Sequence, residues 1–294
     1  MQLAVHILAY NVSRFLPHVI ENVAPFVDKI FLAYPRLPFA YIPKSRLEKT
    51  NPTTLEELTT ITSGTPIEIV EGDWLDEESM RNACLDRARS QGFDWLIIQD
   101  ADEFYPEETW LQIRKLMLNA KNDDHLTTTS YNFWKSSYYV IVYRSGNIKH
   151  ATAGFAIRCR PDTAFINKRL TNVSVSKTID CACYHYGYAL TDQEMEEKLQ
   201  TWSHAHQFNT RRWFEIKWLN WRLETKNIDQ ICPPAWKRAV RFPFHQPEFA
   251  HTFALPIMEL PKPTIGTVCS ELAYDGYAYT YDMLRRTKRL VFPR

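Results

Sequence analysis

The sequence lacks three features that would place it in a special class. It lacks net charge: 35 Lys and Arg against 34 Asp and Glu leave +1, too little for a bulk attraction to nucleic acid or an anionic membrane, although a local basic patch is compatible with that total. It lacks a long apolar run. No stretch approaches the roughly 18 to 20 residues of a membrane span, and MQLAVHILAYNVSRF has neither the basic start nor the long apolar core of a signal peptide. It also lacks a cysteine framework, because the six cysteines, at 84, 159, 181, 183, 232 and 269, are scattered in the manner of reduced thiols. Cys181-Ala-Cys183 puts two thiols on one side of a strand, and no second Cys/His pair at zinc spacing accompanies it. The Asn-x-Ser matches at Asn11 and Asn172 are chance sequons without secretion. These absences predict a soluble, cytoplasmic protein with no integral membrane segment and no nucleic-acid partner.

With 45% hydrophobic and 14% aromatic residues among 294, the chain has the means to build a sizeable core. LAVHILAY at 3 to 10 is the near-continuous apolar run of a strand covered on both faces. Ser13 is placed to cap a helix with Leu16, Val19, Ile20 and Val23 on one stripe. VDKIFLAY and PIEIVEGDW are the second and third strands, separated by a Pro-, Thr- and Lys-rich insert at 35 to 65 in which TTLEELTTI is helical; no role is assigned to it. Asp76 opens a helix through about Ser90, with Met80, Cys84 and Ala88 on one stripe, Gly92 stops it, and FDWLIIQ is the fourth strand. Pro106 opens a helix with Trp110, Ile113 and Met117 facing in.

From about 125 to 185 short aromatic and β-branched runs, TSYNFW, YYVIVYR and FAIRCR, predict antiparallel or mixed strands. Thr191-Asp-Gln-Glu194 matches a capping box, with Met195, Leu199 and Trp202 continuing one face. Beyond 209 come helix-like segments around WFEIKWLNWRLE and a Pro-rich, aromatic tail. Alternation of strands and helices predicts an α/β protein: a mostly parallel Rossmann-like sheet flanked by helices, then a mixed-strand and helical C-terminal part. Residues 1–105 would form one half and 106–294 the other, packed as one compact body.

In such sheets ligands lie beyond the carboxyl ends of the strands. There the sequence WLIIQDADEFY takes a buried-looking strand into Asp100, Asp102 and Glu103, whose like charges repel and whose ionised forms resist desolvation. In an extended strand end Asp100 and Asp102 point the same way across the small Ala101, a hard-oxygen site for Mg²⁺ or Mn²⁺ that would relieve the repulsion and admit an anionic diphosphate.

ILAYNVSRFLPHVIENV, RNACLDRARSQGFDWLIIQDADEFY and YHYGYALTDQEMEEKLQTWSHAH, in that order, resemble glycosyltransferases of the A-type (GT-A) fold, closest to family 2; the resemblance covers the N-terminal two-fifths and 183 to 206, and is thin after about 210. It implies a nucleotide-sugar donor, of UDP or GDP type, gripped through a divalent metal, and a carbohydrate-containing acceptor. Carried over, Asp100 would sit near the ribose or metal beside Ala101, Asp102 would ligate the metal, and Ala9, Tyr10 and Asn11 would lie against the nucleobase or ribose. Arg81 and Asn82 would approach the nucleotide or its phosphates, and His185, in His185-Tyr186-Gly187-Tyr188, would complete the metal site. Lys198 could reach a phosphate. Inversion, as in family 2, requires a carboxylate base, but the family's Glu-Asp motif is missing at its usual place; Asp180, Asp192 and Glu103 are the alternatives. Trp134, with Lys135 beside it, is the candidate acceptor contact, since flat rings stack on sugar faces.

Two other classes compete with transfer. A Mg²⁺-dependent phosphohydrolase would use acids after a parallel strand but ordinarily needs a nucleophilic Asp at the tip of the first strand, where Tyr10-Asn11 stands. A non-catalytic carbohydrate-binding protein on the same fold would tolerate loss of Asp102.

Overall fold

The computed structural model describes residues 1–39, 50–61, 64–120, 125–173, 177–201, 204–253, 255 and 260–291. In chain order the strands and helices are β1 (Leu3–Leu8), α1 (Leu16–Val23), β2 (Lys29–Pro35), α2 (Leu55–Thr60), β3 (Ile67–Gly72), α3 (Glu77–Ser90), β4 (Trp95–Gln99), β5 (Glu103–Phe104), α4 (Glu107–Asn119), β6 (His125–Trp134), β7 (Ser136–Tyr143), β8 (Lys149–Arg158), β9 (Phe165–Asn167), β10 (Leu170–Thr171), β11 (Lys177–Tyr188), α5 (Asp192–Thr201), α6 (Thr210–Trp213), β12 (Trp236–Arg241) and α7 (Ile265–Val291).

The chain folds as α/β, in two compact units. The first comprises Met1–Tyr131, His150–Gly187 and Gln246–Ala254. Its sheet runs β8-β4-β1-β2-β3, with β6 beside β8, and β11 pairing with β6 and β5. Strands β4, β1, β2 and β3 are parallel, and β8 joins β4 antiparallel. Ala4, Phe31, Ala33, Leu96 and Ile98 pack against Met80, Cys84, Leu85 and Ala88 of α3 on one face. Residues of the other parity, Val5, Ile7, Ile30, Leu32 and Ile97, are equally buried, which is why these strands read as continuous apolar runs and not as alternating ones.

Helix starts follow local chemistry. Asp76 caps α3 in a reciprocal pair with Ser79, Thr54 does the same for α2 with Glu57, and Thr191 and Glu194 exchange the two bonds of the expected capping box at α5. Met195 and Leu199 are buried on α5; Trp202 lies outside the described residues. Ser13 does not cap α1: the N-cap is Phe15, Pro17 occupies the first turn, and the Ser13 hydroxyl lies 3.3 Å from that of Thr53. Proline, already fixed at a helical φ and needing no N–H partner, starts this helix two residues later than the hydroxyl signal suggested.

The second unit comprises Asn132–Lys149, Tyr188–His245 and Leu255–Arg294. Here β7 pairs antiparallel with the end of β6 and with β12, and Trp134, Trp213, Trp218 and Trp221 form a buried aromatic core. The segment expected to be a Pro-rich tail carries instead α7, a helix of 27 residues. Thr264 and Thr267 bond reciprocally at its start; the prolines at 261 and 263 precede the helix and do not interrupt it.

Candidate functional site

Strands β1 and β4 are parallel neighbours in register, Ile7 opposite Gln99, so the segments beginning at Ala9 and Asp100 leave the same edge of the sheet side by side. From β1 the chain proceeds to β2 and β3 on one side, while β4 lies on the other. That reversal of strand order is the place where open α/β sheets leave a crevice for a ligand.

Asp100 through Glu103 form a tight turn, the Glu103 N–H donating to the Asp100 carbonyl over 3.0 Å. The extended alternation that would aim Asp100 and Asp102 at one point therefore does not operate. Asp100 faces two arginines: its Oδ2 is 2.7 Å from Arg169 Nη2 and its Oδ1 3.7 Å from Arg81 Nη2. Arg169 also reaches Glu103 over 2.9 Å, and Glu103 Oε2 accepts the Asp100 amide over 3.0 Å. The charge that holds this acidic turn together is thus a buried guanidinium contributed from beyond β9. Burial by itself would raise the Asp100 carboxyl, yet Arg169 and Arg81 hold it well below the usual carboxylate range. Glu103, 5% exposed, goes the other way, because burial outweighs its pairing with Arg169.

Asp102 points elsewhere. Its Oδ1 lies 3.3 Å from His185 Nε2, and its carbonyl accepts the Tyr186 N–H over 2.8 Å. The β5–β11 pairing, His185 opposite Glu103, brings this histidine from eighty-odd residues away in sequence. Gly187 makes the approach possible: a Cβ there would lie 2.7 Å from His185 Nε2 and 2.9 Å from Asp102 Oδ2. A carboxylate oxygen and an imidazole nitrogen so disposed suit Mn²⁺ or Mg²⁺ as two protein donors, the remaining positions being of the kind water and phosphate fill. Among the described residues no three His, Cys, Asp or Glu side chains gather into a fuller metal cluster.

Arg81, on α3, is 2% exposed, and its Nε and Nη1 have no hydrogen-bond partner. Burial lowers its affinity for a proton, offset by Asp100. Two buried guanidinium nitrogens left unmatched beside an acidic turn are suited to an anionic oxygen. His6, on the α3 face of β1, is fully buried with both ring nitrogens unpartnered, and burial, then Arg81, pushes it down to about 3. It is a neutral imidazole.

The remaining expected residues sit as follows. Ala9 is buried, and its carbonyl accepts from Asn51 over 2.6 Å; the Asn11 N–H, at φ 53°, donates to Asn51 Oδ1 over 3.0 Å. Burial pushes the Tyr10 phenol up to about 12. Ala101 is buried in the acidic turn. Asn82 exchanges two hydrogen bonds of 2.9 Å with the backbone of Phe165 and ties α3 to β9. Asp180 is exposed on β11, 3.5 Å from the Thr129 hydroxyl. In the second unit Asp192 accepts from Lys135 at 2.7 Å and from the Trp218 indole at 2.8 Å, Lys135 lies 4.0 Å over the Trp218 ring, and Lys198 lies over Tyr188. Trp134 is fully buried against Tyr188 and the neighbouring tryptophans.

Three contributors carry no linear signal. Arg169 and His6 belong to no motif, and Asn51 sits in the insert to which no role was assigned. The one available clue to Arg169 was the acidic turn itself, which demanded a buried cation without saying whether a metal or a guanidinium supplies it.

No family model and no curated sequence matches the chain. Among solved structures, S. aureus TarS residues 1–349 is similar over 75% of this chain and 71% of that one, at 12% identity and a TM-score of 0.39. HddC from Yersinia pseudotuberculosis is similar over 62% and 91%, at 10% identity and 0.36. The inositol-1-phosphate CTP transferase from T. maritima is similar over 66% and 93%, at 11% and 0.37. Likenesses of this degree assign the chain no activity, which has to be drawn from its own residues.

Proposed function

We propose that this chain is a divalent-cation-dependent glycosyltransferase that moves a sugar, with inversion, from a nucleoside-diphosphate donor to a carbohydrate-containing acceptor. The observation that carries the reading is the Asp102–His185 pair, 3.3 Å apart, beyond the β1–β4 reversal, in the same turn as Asp100, which lies 3.7 Å from buried Arg81. Asp102 and His185 would hold Mn²⁺ or Mg²⁺, which when bound supplies Lewis-acid stabilisation to a departing diphosphate. Arg81 offers its free donors to the same developing charge, preorganised because burial and Asp100 fix the guanidinium before any ligand arrives. Arg169 keeps Asp100 ionised and holds the acidic turn in shape, so that Asp102 is presented to His185. Ala9 to Asn11, latched by Asn51, form the adjoining wall for a base or ribose.

The absence of a carboxylate at the tip of β1, where Ala9-Tyr10-Asn11 stands, favours transfer over phosphohydrolase chemistry. Calorimetric titration with UDP, GDP, CDP and dTDP, each with and without Mn²⁺, tests the proposal: one nucleotide should bind only with the metal. Asp102→Ala should abolish that binding and leave the melting temperature unchanged, since a one-fifth-exposed carboxylate is removed and no core contact. A folded protein that binds none of the four, or an Asp102→Ala variant of unaltered affinity, would overturn it.

A further inference from the structure

Helix α7 presents an outer surface unlike that of an ordinary soluble helix. Ile265, Val268, Leu272, Tyr279 and Met283 follow one another at spacings of three, four, seven and four, a single stripe along the helix, and all are exposed: Ile265 by 86%, Leu272 by 67%, Met283 by 62%, with Leu284 beside them at 60%. The opposite face holds the helix to its unit through buried Tyr274 and Ala278. Glu271 pairs with Arg222 over 2.7 Å, and Asp275 with Lys217 over 2.7 Å. Both acids are consumed inward, so from Ile265 to Tyr281 the exposed surface of α7 carries no charge.

The sequence changes character immediately after this stripe. From Met283 onward, MLRRTKRLVFPR contains Arg285, Arg286, Lys288, Arg289 and Arg294 and not one acid. This is a local basic run that a total of +1 conceals. An aliphatic and tyrosine-bearing surface about 27 Å long, followed in sequence by a run of cations, has the chemistry of a helix that lies in the headgroup boundary of a bilayer: the apolar stripe enters the acyl edge, tyrosines sit at the interface, and cations meet lipid phosphates and carboxylates. It is not the chemistry of a span, and among the described residues no helix is long and apolar enough to cross a membrane.

We propose that α7 is an interfacial helix that docks the second unit on an anionic lipid surface. The occupant is argued from charge: on α7 four cations, Arg285, Arg286, Lys288 and Arg289, follow the single acid Asp282, and the other two acids of the helix are already engaged with Arg222 and Lys217, so the excess calls for an anionic counterpart. The inference is independent of the transferase reading, because it rests on none of the residues assigned to that site.

Sedimentation of the full chain with vesicles tests it. The chain should sediment with vesicles of phosphatidylcholine mixed with phosphatidylserine and not with phosphatidylcholine alone, and added salt should release it. Leu272→Glu combined with Met283→Glu should weaken binding by roughly a hundredfold. Because both side chains are exposed, far-ultraviolet circular dichroism and the melting temperature of the double variant should match those of the parent. Each cation neutralised, as in Arg285→Gln, should weaken binding by about fivefold. Failure to bind either vesicle, or undiminished binding of the double variant, overturns the proposal. So does a dimer in solution that the same two substitutions split while neither protein binds vesicles, since the stripe then covers a second copy.

Discussion

Gly187 is decided by space and not by backbone conformation. Its missing side chain is what allows His185 and Asp102 to meet. Gly187→Ala should therefore push the imidazole and carboxylate apart, costing about 1 to 3 kcal/mol of stability for the overpacking and weakening Mn²⁺-dependent nucleotide binding more than the stability loss alone explains. Calorimetry and urea unfolding on the same variant separate the two effects. His6 makes a second prediction, with a definite sign. Its proton affinity falls from an ordinary 6.5 to about 3 on folding, so the unfolded chain takes up a proton that the folded one refuses. The contribution is complete above the ordinary value and is lost as pH falls from there towards the folded value. Between about pH 7 and pH 5 the parent should lose about 2 kcal/mol more unfolding free energy than His6→Leu, as linkage requires; parallel pH profiles would show that His6 is not the buried base described.

At the scale of elements, the loop after β1 depends on one side chain from the insert. Asn51 donates to the carbonyls of Ala9 and Pro35 and accepts the amides of Asn11 and Thr53, all between 2.6 and 3.1 Å. Asn51→Ala leaves these buried groups without partners and should cost about 3 kcal/mol, since each unmatched group costs about 1 to 3 and some will recruit water. Urea unfolding checks the loss. Strands and helices of the first unit were legible in sequence because apolar run length, capping residues and Gly92, at φ 80°, are local signals. The 27 residues of α7 were not, although the helix begins with its own threonine pair. Tyrosine- and glycine-bearing sequence has weak helical preference, and this helix is held instead by Arg222 and Lys217, some fifty residues earlier in the chain.

For the molecule as a whole, the cysteines test the tertiary arrangement. All six are free thiols. Cys84, Cys181 and Cys183 are buried, and burial pushes the Cys84 thiol up to about 12, whereas Cys269 lies exposed on α7. Native protein should react with a maleimide promptly at Cys269 and at the three buried positions only after denaturation, as mass mapping of the labelled peptides would show; prompt labelling of Cys181 or Cys183 would contradict the burial of β11. The sequence by itself determined the parallel strands, their order along the chain and the acidic cluster at the end of β4, though not the turn it adopts, because each is written in the periodicity and chemistry of adjacent residues. Only the tertiary structure decided which charges that turn meets. Arg169 arrives from beyond β9 and His185 by pairing of β11 with β5, and such juxtapositions come from strand pairing across the fold, which neighbouring residues do not encode.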